Sequence, residues 1–138
     1  MKTGLRFAVI TWGLLISGCG KPREIPGGTP GIIHAGGDVV GDVHISIYRM
    51  NDEDSVDETP VAFAISAHDG QFELRQSGSL EGASLEAGDY RFTVESAGEI
   101  YLAWPGDYRR PARSPLRLTW NEDDQQIDLE VPVPTRVR

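Results

Sequence analysis

The chain has 138 residues, with 21 acidic against 13 basic side chains and a formal net charge of −8. This acidity disfavours nucleic acid and anionic lipid head groups as partners, because both repel negative charge. The single cysteine excludes an internal disulfide, and the length leaves room for one domain.

The N-terminal residues are typical of an export signal. Lys2 and Arg6 precede an uncharged, mostly apolar run at residues 7–16. A run of about ten residues is well short of the roughly 20 that a helix needs to cross a bilayer. We therefore predict that this segment is cleaved, and that it is not a permanent transmembrane anchor.

The residues that follow the apolar run, Leu15-Ile16-Ser17-Gly18-Cys19, resemble the bacterial lipobox. The resemblance implies that residues 1–18 are removed as a signal peptide and that the Cys19 thiol receives a diacylglycerol and further acyl chains such as palmitate. Several acyl chains would hold the protein at a membrane. Gly20, where Asp would imply retention at the inner membrane, implies an outer-membrane lipoprotein of the cell envelope that faces the periplasm or the cell surface.

Residues 19–37 are rich in Gly and Pro, which are unfavourable in helices and central strands. We predict a flexible tether here, and about 18 such residues would have an r.m.s. span of roughly 24 Å. A globular domain is expected over residues 38–134, followed by a C-terminal tail at 135–138.

From residue 39 onward, apolar residues recur at every second position, the period of half-buried strands. Within the second run we expect Val61, Phe63 and Ile65 to face the core. Asp69-Gly70 predicts a hairpin turn that pairs the second and third runs. No helical period is present, so about seven strands predict an all-β sandwich. The runs are 39–47, 61–65, 72–74, 90–94, 100–104, 116–120 and 127–133.

The order of these signals resembles the carboxypeptidase regulatory-like, transthyretin-like (prealbumin-like, Ig-like) sandwich domains. The resemblance rests on Gly41-Asp42-Val43, on SAHDGQFEL at residues 66–74 and on LEAGDYRFTV at 85–94. Residues 105–129 resemble small one-domain lipoproteins abundant in planctomycete bacteria. The resemblance implies about seven antiparallel strands and a non-catalytic accessory or adhesive module. One branch of transthyretin-like proteins hydrolyses 5-hydroxyisourate and ends in Tyr-Arg-Gly-Ser, which this C-terminus lacks, so that activity is not carried over.

The polar residues predict no catalytic or metal site. His34, His44 and His68 lack the paired spacing of zinc ligands. The acidic run at 51–58 offers oxygen atoms that Ca²⁺ prefers, but it lacks the glycine of an EF-hand loop, so we expect a solvated loop. No Ser, His and Asp set and no enclosed pair of carboxylates is recognisable. We therefore expect neither an enzyme nor a cofactor.

Four aromatic residues lie in the C-terminal half of the domain. Trp104 and Trp120 fall on the apolar phase of their runs, so we expect both in the core. Tyr101 and Tyr108 remain as possible binding residues, because exposed rings can stack on sugars or anchor a protein partner. The leading hypothesis is a membrane-tethered structural or protein-binding module. The alternatives are a carbohydrate-binding module for envelope polysaccharide and a divergent hydrolase.

Overall fold

The structure is a computed structural model that describes residues 27–51 and 55–137. The predicted signal peptide, Cys19 and the first part of the predicted tether lie outside these ranges. Apart from one 3-10 turn at Gly106–Arg109, every regular element described is a β-strand, which confirms the expected all-β class. The strands are β1 (Pro30–Ala35), β2 (Asp38–Val39), β3 (Val43–Arg49), β4 (Ala62–Ile65), β5 (Gln71–Glu73), β6 (Arg75–Gln76), β7 (Gly88–Ser96), β8 (Tyr101–Ala103), β9 (Arg117–Trp120), β10 (Ile127–Val131) and β11 (Thr135–Val137).

The strands form two larger sheets and one ribbon in a sandwich-like arrangement. The first sheet is antiparallel, in the order β6-β4-β3-β7-β9. In the second sheet, β1 pairs with β10 on one side and with β2 and β5 on the other. The β1–β10 pairing is parallel, so the expectation of antiparallel strands throughout is wrong at this point. Strands β8 and β11 form a separate antiparallel ribbon.

The core lies where the strict alternation of the sequence predicts it. The outer face of β7 is covered, contrary to the half-buried pattern, since Arg91 and Thr93 are 5% and 3% exposed. On the inner faces, β7 buries every second residue with at most 2% exposure, and β10 does the same. Each of these side chains contributes roughly 1.5–3 kcal/mol by leaving water. The alternating buried residues are Val43, Ile45 and Ile47 of β3, Tyr90, Phe92 and Val94 of β7, and Ile127, Leu129 and Val131 of β10.

The prediction of a tether up to residue 37 is wrong from Thr29 onward. The Thr29 N–H donates to the Ala83 carbonyl at 2.9 Å, and β1 then adds a fully buried Ile33 to the core. The glycine that suggested flexibility is required by packing, because a Cβ at Gly31 would lie 2.2 Å from the Phe72 ring. The partner strand β10 lies far away in sequence, so local composition could not reveal the pairing.

Most of the predicted C-terminal tail at 135–138 is a strand. Residues Thr135–Val137 form β11, with Thr135 opposite Ala103, Arg136 opposite Leu102 and Val137 opposite Tyr101. The short segment is ordered by its backbone ladder with β8, since its own side chains remain exposed.

The Asp69-Gly70 turn is present, but it does not make a hairpin. Gly70 has φ +81°, and its N–H donates to the Ala67 carbonyl at 2.8 Å. The strands on either side then join different sheets, with β4 paired to β3 and β5 paired to β1. Because both edges of β4 are occupied by β3 and β6, the chain crosses here from one sheet to the other.

Strand β4 is turned the opposite way from the prediction. Ala62 and Ala64 are 1% exposed, while Val61, Phe63 and Ile65 lie on the outer side. Inward-facing Ile47 and Ile45 of β3 lie directly opposite the two alanines. Because these large neighbours already fill the space between the sheets, small side chains fit on this strand.

Candidate functional site

The β8–β11 ribbon presents an apolar pair to solvent. Leu102 is 4% exposed and faces the core, so strand alternation turns its neighbour Tyr101 outward. Tyr101 is 49% exposed, and Val137, its cross-strand partner, is 45% exposed. A tyrosine beside a β-branched residue in this register makes a compact contact surface that water covers in the isolated chain.

A cleft of about 640 Å³ lies beside this ribbon. Strand β11 supplies Arg136 to its lining, and the turn between β4 and β5 supplies His68. Val39 and Ile100, which are 44% and 45% exposed, give the rim an apolar part. The charged and polar side chains around the cleft are Asp42, His68, Glu99 and Arg136.

The wall of the cleft is built by close approach of backbone segments. Asp42 has φ +59°, a left-handed conformation that Asp tolerates better than most residues. Its N–H donates to the Ser66 carbonyl at 2.9 Å, and its carbonyl accepts from the Ala97 N–H at 2.8 Å. A Cβ at Gly98 would lie 2.7 Å from the Asp42 side chain, so this wall requires a glycine there.

Ser66 connects this wall to the core. Its hydroxyl accepts from the Val43 N–H at 3.1 Å and donates to the Val40 carbonyl at 3.0 Å. The side chain is only 2% exposed. A single buried hydroxyl therefore satisfies two backbone groups on either side of Gly41 and Asp42.

The structure separates the two predicted binding tyrosines. Tyr101 faces solvent on the ribbon, whereas Tyr108 is half-buried in the 3-10 turn and packs against the core. Trp120 is 8% exposed, which confirms its predicted core position. Trp104 is partly buried against the core, and its indole N–H donates to the Pro132 carbonyl at 2.7 Å.

The three histidines lie on different elements. His34 belongs to β1, opposite Glu130 of β10, and not to a tether. His44 of β3 stacks on Phe63 at a ring-centroid distance of 5.7 Å. His68 lines the cleft in the turn before β5. The described ranges contain no group of three or more His, Cys, Asp or Glu residues placed to hold a metal ion.

The acidic loop after β3 is described only in part, since residues 52–54 lie outside the described ranges. Its described ends fold back on one another, because Asn51 donates its side-chain amide to the Asp57 carboxylate at 3.0 Å. Met50 and Val56 form an isolated antiparallel bridge.

The pKa of the Tyr90 hydroxyl is shifted by its surroundings. Burial raises the pKa of Tyr90 above its ordinary value of 10.0, and the Arg49 guanidinium, 5.4 Å from the ring centroid, opposes that shift. The Tyr90 hydroxyl donates to the Glu86 carbonyl at 2.5 Å, and Arg49 makes a 3.1 Å ion pair with the Glu86 carboxylate. This cluster ties β3, β7 and the segment before β7 together.

Sequence reasoning singled out Tyr101 but missed Arg136, Val137 and the cleft. Pro132 and Pro134 interrupt the alternation of apolar and polar residues in the last eight residues of the chain, so their pattern did not predict a strand at 135–137. Only the pairing of β11 with β8 brings Val137 beside Tyr101.

Within the described ranges, no helix is long and apolar enough to span a bilayer. Comparison of the chain with protein-family models, with curated proteins and with solved structures found no match.

Proposed function

We propose that this chain is a non-catalytic lipoprotein of the cell envelope, anchored through Cys19, whose sandwich domain binds another protein. The observation that carries the binding role is the outward-facing pair of Tyr101 and Val137 on the β8–β11 ribbon. Exposed tyrosines contribute disproportionately to protein interfaces, because the ring buries a large area at a small loss of conformational freedom. We also propose that the domain is of the transthyretin-like type, for which the order of strand and turn signals is the support.

The lipid anchor is supported by the basic start, the short apolar run and the small residues before Cys19. Intact mass and membrane fractionation of the protein made with its own signal test this, beside a Cys19→Ala variant. We expect the wild type to lose residues 1–18, gain acyl mass and sediment with membranes, and the variant to do neither. A soluble wild type of unmodified mass would remove the anchor from the proposal.

The binding role is tested by placing a photo-crosslinking amino acid at position 101 in native cells. The matched control places it at Leu80, which is 79% exposed in the loop after β6. We expect one discrete protein adduct from position 101 and none of the same mass from position 80. Val137→Asp should abolish the adduct, because it puts a charge beside the ring. Identical adducts from both positions would contradict a specific surface.

A carbohydrate-binding role is the second candidate, and the 640 Å³ cleft with polar Asp42, His68 and Arg136 favours it. Such side chains suit sugar recognition, because a few polar groups in a cleft can form hydrogen bonds with the hydroxyls of a sugar. Dose-dependent binding on a glycan array, lost in Arg136→Ala, would favour this role over protein binding. Turnover of an ester, amide or glycoside panel would instead support a divergent hydrolase.

A further inference from the structure

Strand β10 ends the second sheet with an unpaired edge. It pairs with β1 on one side only, in a parallel register that places Ile33 opposite Leu129. In a parallel ladder only one member of such a pair bonds across. The N–H and C=O of Ile33 bond on the other side of β1, so Leu129 is the member that bonds to β1. Asp128 and Glu130, its neighbours along β10, therefore direct their backbone groups outward.

This outer edge of β10 is open to another strand. Within residues 27–51 and 55–137, no backbone group hydrogen-bonds to the N–H or C=O of Asp128 or Glu130. Both residues are exposed. The open stretch ends at Pro132, which has no N–H and whose carbonyl accepts the Trp104 indole. Unpaired N–H and C=O groups in a row form a template for a strand from another chain.

The core is incompletely covered on the side where this edge lies. Strands β5 and β6 are separated by one residue and belong to different sheets, so the sheets join on the side of β5. Strand β10 lies across β1 from β5, on the side of β9. There Leu118 faces the core opposite Tyr90, yet it is only partly buried, as is Trp104. Apolar side chains of an added strand would cover these two.

The charge on the strands around this edge is negative. The second sheet contains no Lys or Arg, and its only basic side chain is His34, opposite Glu130. The arginines nearest along β7 and β9, Arg91 and Arg117, are cross-strand partners on the outer face of the other sheet. The turn from β9 to β10 adds three more acids. The carboxylates of the second sheet are Asp38, Glu73, Asp128 and Glu130.

We propose that the open edge of β10 binds an extended segment of another protein in which apolar and basic residues alternate. Residues opposite one another on paired strands share a face, and opposite charges there are favourable. Basic residues would lie opposite Asp128 and Glu130, and apolar residues opposite Leu129 would turn toward Leu118. The Asp128 carboxylate accepts only the neutral Gln126 amide at 3.0 Å, which leaves its charge for the partner. Backbone bonds supply affinity, and the alternation supplies specificity.

A second copy of the chain suits this edge poorly. Antiparallel pairing of two β10 strands centred on Leu129 would place Asp128 of one copy opposite Glu130 of the other. Like charges directly opposite each other are destabilising. The inference goes beyond the binding role proposed for Tyr101, and it rests neither on that role nor on the lipid anchor.

Amide hydrogen exchange, followed residue by residue by NMR, tests the pairing on the full chain with Cys19→Ser. The probe is a capped peptide of about seven residues in which valine and lysine alternate, and the matched peptide carries glutamate in place of lysine. We expect the amides of Asp128 and Glu130 to exchange faster than that of Leu129 in the free protein. At saturation the lysine peptide should slow both by at least about tenfold, whereas the glutamate peptide should not.

Charge reversal tests the choice of partner. In Asp128→Lys/Glu130→Lys, affinity for the lysine peptide should fall about tenfold, and the glutamate peptide should bind instead. The control, Asp38→Lys/Glu81→Lys, makes the same change in net charge at exposed positions on β2 and in the loop after β6. Its affinity should change less than about twofold. Thermal unfolding verifies that all of the proteins are folded.

Several results would overturn the proposal. Equal losses in the variant and the control would reduce the effect to net charge. A lysine peptide that binds without slowing exchange at Asp128 and Glu130 would show attraction without strand pairing. Slow exchange of these amides without peptide would show that the edge is already covered, by a second copy if the effect grows with protein concentration. No binding up to about 1 mM lysine peptide would overturn it as well.

Discussion

Replacing Ser66 by alanine removes one oxygen atom but should destabilise the domain by several kcal/mol. The hydroxyl bonds two backbone groups, the Val43 N–H and the Val40 carbonyl, whose residues are 0% and 6% exposed. Alanine leaves both groups buried without a partner, and each such group costs about 1–3 kcal/mol. We therefore expect the free energy of unfolding to fall by roughly 2–6 kcal/mol, a large part of the 5–15 kcal/mol typical of a domain.

Urea unfolding followed by tryptophan fluorescence measures this loss. With a slope of about 1.5 kcal/mol per molar, the midpoint should fall by more than about 1 M with the slope unchanged. Ser77→Ala is the matched control, because the Ser77 hydroxyl also donates a 3.0 Å hydrogen bond, to the Pro60 carbonyl, but in an exposed position. It should cost less than about 1 kcal/mol, since water replaces the lost bond. Equal costs at the two serines would refute the reasoning from burial.

Three further predictions concern other parts of the domain. Gly31→Ala should cost about 1–3 kcal/mol by forcing a methyl into the Phe72 ring, and Phe72→Leu should recover part of that loss in a double-mutant cycle. The pKa of Tyr90 is raised in the folded state, so the unfolded chain ionises first and stability should fall as the pH rises above about 10. Tyr90→Phe should flatten that fall in unfolding curves measured from about pH 9 to about pH 11. Trp104→Phe should lower stability by less than about 1 kcal/mol, because the bond from its indole N–H to the Pro132 carbonyl is exposed and water can replace it; a larger loss in thermal unfolding would contradict this.

The sequence by itself determined the class of the fold and the inward face of its regular strands. Strict alternation in 43–47, 90–94 and 127–131 predicts the inward-facing residues, because a strand places its apolar residues on the core side. It does not predict that Arg91 and Thr93, on the other face of β7, are buried as well. The Asp69-Gly70 turn was likewise visible, since only a few residues tolerate its backbone conformation.

Only the tertiary structure decided the features that depend on a distant partner. Pro30–Ala35 is a strand because β10 pairs with it, and Thr135–Val137 is a strand because β8 does, although neither segment shows this by its own composition. The face that β4 turns inward follows from the volume that Ile45 and Ile47 already occupy. Pairing and packing are properties of two segments together, so a pattern read along one segment cannot contain them. The exposed pair of Tyr101 and Val137 is of this second kind, which is why this candidate site emerges only from the fold.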